Sequence, residues 1–218
     1  GAHLGRAVIT LSGSDSTVTS YTTDTSGKYE FQLKANTSYT INVRKEDYFG
    51  VSATETTIGL RTAADKIVRD FALKPMPKQG VEIVLPNILY DLNSASLRDE
   101  SKASLDDLVK ILKDNPNIVI AINAHTDCRA TKEYNLDLSQ RRSQSVVDYL
   151  NESGIESPRM VAKGYGETKL LNDCECEGKR VKRNCSEEEH QMNRRTAFEI
   201  LSTDYVSEKK VEGQPEEA

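Results

Sequence analysis

The hydrophobic pattern changes its period at Lys74-Pro75-Met76-Pro77-Lys78-Gln79-Gly80. Before that stretch apolar residues alternate. After it they recur at three and four, between short continuous apolar runs. A strand presents alternate side chains to one face, and a helix presents every third and fourth, so the two halves call for different architectures. Two prolines and a glycine at the change read as a linker. The expectation is an all-β domain over 1–74, a linker over 75–80, an α+β domain over 81–205, and a disordered tail over 206–218. A chain of 218 residues has room for two such domains.

In the first half, Ala7-Val8-Ile9-Thr10-Leu11 is short and rich in β-branched residues. Thr25-Ser26-Gly27-Lys28 is a turn signal, followed by alternation of Tyr29, Phe31 and Leu33, then of Tyr39, Ile41 and Val43. Thr56–Leu60 and Ile67–Leu73 are further strand candidates. The whole reads as a small β-sandwich without a catalytic group.

In the second half the expected elements alternate. Val81 to Tyr90 is strand-like and interrupted by Pro86. Ser101 to Asn115 is helical, with Leu105, Leu108, Val109 and Leu112 on one face and Asn115-Pro116 as its stop. Ile118–Ile122 is a continuous apolar run, as expected of a central strand. A second helix is expected over Leu138–Glu152, with Ser139 as N-cap, Val146, Val147 and Leu150 buried, and Gly154 just past its end. Met160–Gly164 and Thr196–Leu201 read as strands, and Ser186-Glu187-Glu188-Glu189 as a capping box. The order β-α-β-α-β-β implies a mixed sheet.

Composition narrows the function classes. Lys and Arg total 29 against 34 Asp and Glu, a formal charge of −5. That balance argues against broad nucleic-acid binding, which needs a basic surface. No apolar run approaches the roughly 18 residues of a membrane span. The chain opens Gly1-Ala2-His3 without a Met, which reads as a trimmed fragment. No Ser/His/Asp order and no H-E-x-x-H motif suggests catalysis, so an enzyme is not expected. No cofactor and no metal are expected either.

Asp127 falls just past the carboxyl end of the central strand, where open α/β sheets place their ligands. Arg142 would sit in the first turn of the next helix, at N3 if Ser139 caps it. A carboxylate beside a guanidinium suits a ligand with an ammonium and a carboxylate: Asp127 takes the first, Arg142 the second. Free N–H groups at that helix start would add a small attraction for the anion. Two isolated residues of this kind are more often a surface ion pair worth little. His125 is expected to be a scaffold residue, Arg141 to point away, and Arg194 and Arg195 to pin the last helix to the strand.

Motifs in order shift that balance. Gly27-Lys28-Tyr29-Glu30-Phe31 followed by Tyr39–Tyr48 is similar to the carboxypeptidase regulatory-like family, whose upstream first strand would be missing here. Over residues 80–202 the chain resembles the OmpA-like C-terminal domain, a non-covalent peptidoglycan-binding module. The matching pieces are Tyr90–Ser94, Ala124-His125-Thr126-Asp127, Tyr134-Asn135, Leu138–Ser143, Gly154-Ile155, Gly164–Glu167 and Asn193-Arg194-Arg195. The resemblance implies that the ligand is the free end of meso-diaminopimelate in a peptidoglycan stem peptide. It implies that Leu92, Asn93 and Ser94 give backbone contacts to the same carboxylate, and that Thr126, Asn135 and Leu138 line the pocket. Relatives often have Asp at the position of Asn93. The pairing of the two domains is similar to PorE-type envelope proteins of Bacteroidetes, associated with type IX secretion. That resemblance implies a periplasmic location at the outer membrane, with outer-membrane or secretion-system proteins as partners. A scaffold with a vestigial pocket and a protein partner is the competing reading.

Four cysteines, Cys128, Cys174, Cys176 and Cys185, fall in the second half, three of them in a charged insertion, Asn172–Glu189. With His125 and His190 they could form a zinc site, but C-x-C lacks the usual C-x-x-C pair. In an oxidising compartment two disulfides are preferred. Three pairings are possible. Cys174–Cys185 with Cys128–Cys176 is the least strained, and a 174–176 bridge would be a very tight ring.

Overall fold

The computed structural model describes residues 3–60, 66–88, 90, 94–177, 180–181 and 184–207. Contacts divide the chain into two units, Gly1–Pro77 with Lys113–Asn115, and Lys78–Leu112 with Pro116–Ala218.

The first unit holds four antiparallel strands, β1 (Val8–Gly13), β2 (Val18–Thr22), β3 (Ser38–Arg44) and β4 (Val51–Thr56), in the order β2-β1-β3-β4. The alternation in sequence becomes one buried face. Ile9 stands opposite Val43 and Leu11 opposite Ile41, all four buried. Tyr29, Phe31, Leu33, Phe71 and Leu73 pack against that face. Their segments form no ladder among the described residues, so the expected sandwich is one sheet with extended chain laid over it. Side chains meet part of the backbone demand that a second sheet would have met. The Tyr29 hydroxyl donates to the Arg69 carbonyl (2.6 Å), and the Lys34 N–H donates to the Tyr39 hydroxyl (2.8 Å). The strand expected over Thr56–Leu60 ends with β4, because the Leu60 N–H turns back to the Thr57 carbonyl.

The second unit runs β5 (Ile83–Val84), α1 (Asp99–Asp114), β6 (Val119–His125), α2 (Lys132–Glu152), a 3-10 turn (Ser157–Arg159), β7 (Met160–Gly166), β8 (Cys176–Glu177), β9 (Arg180–Val181), α3 (Glu187–Asn193) and β10 (Thr196–Ser202). Its sheet has the order β5-β10-β6-β7, with β6 and β7 parallel and the other pairs antiparallel. β6 is flanked by strands on both sides, and Ile120, Ala121 and Ile122 are fully buried, as a continuous apolar run requires. Only two residues of the expected Val81–Tyr90 strand pair with β10, and Pro86-Asn87 form a turn. α1 buries Leu105, Leu108, Val109 and Leu112. Buried Arg159 serves its end, with Nη2 donating to the Leu112 carbonyl (2.8 Å) and Nε to that of Ile118 (3.0 Å). β8 and β9 form a hairpin within the insertion. Of the expected tail, residues 208–218 lie outside the described residues, while the Ser207 hydroxyl donates to Glu156 (2.7 Å).

The second helix corrects the sequence reading. α2 begins six residues earlier than expected, capped by Thr131, whose hydroxyl accepts from the Tyr134 N–H (3.2 Å). Ser139 is therefore no cap. It lies inside the helix, where its hydroxyl donates to the Leu136 carbonyl (2.9 Å) and accepts from the Gly166 N–H (2.8 Å). Arg142 likewise lies in mid-helix, so no free helix N–H groups stand beside it to attract an anion.

Small residues let α2 lie directly on β7. A Cβ on Gly164 would stand 2.6 Å from the Gln140 Cα and closer still to the Gln140 nitrogen. That obstacle is helix backbone, which cannot swing aside. Gly164→Ala is therefore expected to destabilise the second unit by about 2–3 kcal/mol, the upper part of the usual overpacking range. Urea unfolding checks it. An unchanged midpoint would mean that α2 and β7 can separate at little cost.

Because Gly164 faces α2, its paired residue Ala124 and, by alternation, Ile122 and Ile120 share that face. Asn123, His125 and Tyr165 project to the other face. There Glu82 accepts from Asn123 Nδ2 (2.9 Å) and lies 3.2 Å from His125 Nε2.

Candidate functional site

The site lies where β6 ends, at His125-Thr126-Asp127. His125 is 2% exposed and stacks on Tyr165, with ring centroids 5.2 Å apart. Burial, followed by the nearby Arg195 charge, pushes its pKa down to about 4, so the ring is neutral at pH 7 and acts as scaffold. The Thr126 N–H donates to the Gly166 carbonyl (2.9 Å), tying the strand end to β7.

Asp127 is 8% exposed. Burying a carboxylate costs several kcal/mol unless it is paired and hydrogen-bonded. Here Oδ1 accepts from the Arg129 backbone N–H (3.1 Å). Oδ2 accepts from Arg129 Nη2 (2.8 Å), Arg129 Nε (3.1 Å) and Arg194 Nη1 (2.6 Å). Burial raises the Asp127 carboxyl, and the hydrogen bonds from Arg129 and Arg194 more than offset it, leaving it below the ordinary carboxylate range. It is a stable anion and a weak base.

Arg142 stands nearby on α2 but is not paired with Asp127. Its guanidinium lies over the Tyr90 ring, 4.6 Å from the centroid, and Nε donates to the Ser94 carbonyl (3.0 Å). Among the described residues it has no carboxylate partner. Burial lowers its pKa, with the Tyr90, Tyr134, Arg194 and Asp127 charges acting after that. Arg142, Arg194 and Arg195 line a cavity of about 100 Å³ with Tyr90, His125 and Thr196. Three guanidinium groups around one small cavity make it a place for an anion. A larger cleft, about 460 Å³, opens beside Cys128 and Cys176. Glu133, Glu167 and Glu175 border it, and neither Asp127 nor Arg142 does, so it suits an anion poorly despite its size.

The other expected site residues are placed as follows. Ser94 supplies its carbonyl to Arg142, and Leu92 and Asn93 lie outside the described residues. Thr126, Asn135 and Leu138 are buried at 3%, 3% and 5% exposure, in the interior and away from the cavity wall. Asn135 Nδ2 donates to the Asp127 carbonyl (3.0 Å) and to Glu167 (2.6 Å), so it fixes the loop that carries Asp127. Arg141 points away to Asp137 (2.8 Å). Arg195 lies 3.6 Å from Glu82. The structure joins Cys128 to Cys176 and Cys174 to Cys185, with Cα separations of 5.4 and 6.0 Å. Three participants were not singled out from sequence, namely Arg129, Glu187 and the part that Arg194 plays on Asp127.

Residues 89–184 match the OmpA family. The second unit has an OmpA-like fold. The chain is 39% identical over 88 residues to the peptidoglycan-associated lipoprotein of Rhizobium meliloti, covering 40% of this chain and 50% of that protein. It is 35% identical over 107 residues to a photosystem I P700 chlorophyll a apoprotein A2 of Gloeobacter violaceus, covering 49% of this chain but only 12% of that protein. Among solved structures, the peptidoglycan-associated lipoprotein from Burkholderia pseudomallei is similar at 29% identity and a TM-score of 0.44, covering 52% of this chain and 87% of that one. The chain thus spans half or less of the length of these two curated relatives. Among the described residues no helix is long and apolar enough to cross a membrane.

Proposed function

We propose that the second unit binds peptidoglycan non-covalently, through the free ammonium and carboxylate of meso-diaminopimelate in a stem peptide. The observation that carries this reading is the cavity beside Asp127, where half-buried Arg142 has no carboxylate partner among the described residues. A ligand carboxylate entering it gains charge-assisted hydrogen bonds in a shielded place. Asp127 takes the ammonium, since Oδ1 accepts a single hydrogen bond and has a lone pair to spare. Peptidoglycan-associated lipoproteins among the relatives support this reading by their names. In it, the chain anchors an envelope complex to the cell wall in the periplasm, next to the outer membrane. The link to type IX secretion rests only on the likeness of the two-domain arrangement to PorE-type proteins. The internal pairing of Asp127 with Arg129 and Arg194 favours a second reading, a scaffold whose pocket is vestigial and whose partner is a protein.

Calorimetry separates the two readings. A muropeptide with free diaminopimelate is expected to bind at least tenfold more tightly than its lysine counterpart, which lacks the second carboxylate and leaves Arg142 unanswered. One lost charge-assisted bond is worth about 1.5–3 kcal/mol. Equal affinities would reject the diaminopimelate assignment, and no binding of either would favour the scaffold.

A further inference from the structure

Asp127 belongs to a closed ring of four charged side chains. Arg129 and Arg194 each reach it, and each also reaches Glu187. Arg129 Nη1 donates to Glu187 Oε2 (2.7 Å) and Arg194 Nη2 to Glu187 Oε1 (2.6 Å). Charges alternate around the ring and sum to zero. Its members differ in exposure. The side chains of Asp127 and Arg194 are 11% and 23% exposed, those of Arg129 and Glu187 41% and 62%. The inner pair is thus fixed in the site, and the outer pair faces solvent.

The outer pair has the charge pattern of the proposed ligand: a cation on Asp127 joined to an anion on Arg194. Arg194 lines the same cavity as Arg142. We propose that Arg129 and Glu187 are specificity-determining residues that act as an internal stand-in for the ligand's zwitterion. Arg129 competes with the ammonium for Asp127, and Glu187 competes with the carboxylate for Arg194. The inference rests on the reading of Asp127 and Arg142 as the ligand site.

Counting ion pairs shows why such a pair selects for both charges. The ring contains four contacts between opposite charges. A zwitterion that displaces the outer pair leaves Arg194 on Asp127, puts its ammonium on Asp127 and its carboxylate on the arginines, and releases Arg129 and Glu187 still joined to each other. Four contacts remain. A ligand with an ammonium alone restores one contact fewer if it opens the whole ring, so it displaces Arg129 from Asp127 and leaves Glu187 on Arg194. Release is cheap because exposed ion pairs are individually weak. The disulfides keep the stand-in near the site. Arg129 follows Cys128, bonded to Cys176, and Glu187 lies two residues after Cys185, bonded to Cys174. Cys174 and Cys176 are two residues apart.

Removing one competitor at a time gives two different signatures. R129Q is expected to raise affinity about threefold to tenfold for both diaminopimelate and lysine muropeptides, since both carry the ammonium. E187Q is expected to raise affinity by a similar factor for the diaminopimelate muropeptide alone. Both positions are exposed, and thermal midpoints within a few degrees of the native protein confirm that the variants are folded. Calorimetry of both variants, with D127A as reference, is the test. If D127A abolishes binding and either variant weakens or leaves unchanged the affinity for diaminopimelate, the stand-in is refuted and the ligand site stands. If D127A binds like the native protein, or no form binds, the ligand site is refuted and the stand-in with it.

Discussion

Arg142→Ala is expected to abolish retention on purified sacculi and to weaken binding of a diaminopimelate muropeptide at least 30-fold. Truncating one partner of a shielded charge pair costs about 2–5 kcal/mol, and 1.4 kcal/mol is tenfold. Stability should fall by only about 1 kcal/mol, because the side chain contributes one bond to a carbonyl and one contact with the Tyr90 ring. Asp127→Ala should remove binding as well, at a larger structural cost. It is nearly buried, it accepts the Arg129 backbone N–H that shapes its loop, and it closes the ring. About 1–3 kcal/mol of stability should go with it. Arg142→Ala is therefore the more decisive variant, and Arg141→Ala its control. Arg141 is one residue away, exposed and paired to Asp137, and its loss should leave binding unchanged. Sacculus pull-down at matched folded concentration reads all three. Retention by Arg142→Ala at the native level would remove Arg142 from the site.

How much of this was legible in the sequence depends on the range of the forces involved. The central strand, the α1 stripe and the capping box at Ser186 are local patterns, and they stand where the sequence put them. The start of α2 was missed because the buried stripe of its first turns is polar. Asn135, Ser139 and Ser143 lie on the same face as Leu138 and Val146, and a search for apolar periodicity begins only at Leu138. These residues are buried for two reasons that a periodicity scan does not weigh. Asn135 and Ser139 hold backbone groups of neighbouring segments, and short side chains allow the close approach to Gly164. The Thr131 cap was the missed signal, since a hydroxyl three residues ahead of the Tyr134 N–H is a regular helix start. In the first unit, alternation located the buried residues but not which segments pair, because packing against a sheet and pairing within one impose the same period. Arg129 and Glu187 lie 58 residues apart, so nothing local could join them. What could have pointed there was the cysteine spacing, since each charged residue follows closely on a cysteine of the insertion.

Reduction of the two disulfides is expected to lower the stability of the second unit by about 3–5 kcal/mol. The bridges span 48 and 11 residues. In the chain-entropy model, closures of this size are worth about 4 and about 3 kcal/mol, and because the shorter one is nested in a region the longer one already restrains, the two do not add in full. The effect on the ligand has two opposing parts. Freed from Cys176, the loop at Cys128 must be reordered when ligand binds, at about 1–2 kcal/mol for each backbone residue fixed. Against that, a looser Arg129–Glu187 pair competes less, a gain bounded by the roughly 0–1 kcal/mol of an exposed ion pair. Ordering two or more residues outweighs the gain, so the reduced protein should bind diaminopimelate muropeptide about tenfold more weakly. R129Q should recover only part of that loss. Denaturant titration and calorimetry with and without a thiol reductant, after peptide mapping of the bridges, give both numbers. A reduced protein that binds as tightly as the oxidised one would mean that Asn135 and the arginines fix the Asp127 loop without help from the bridge.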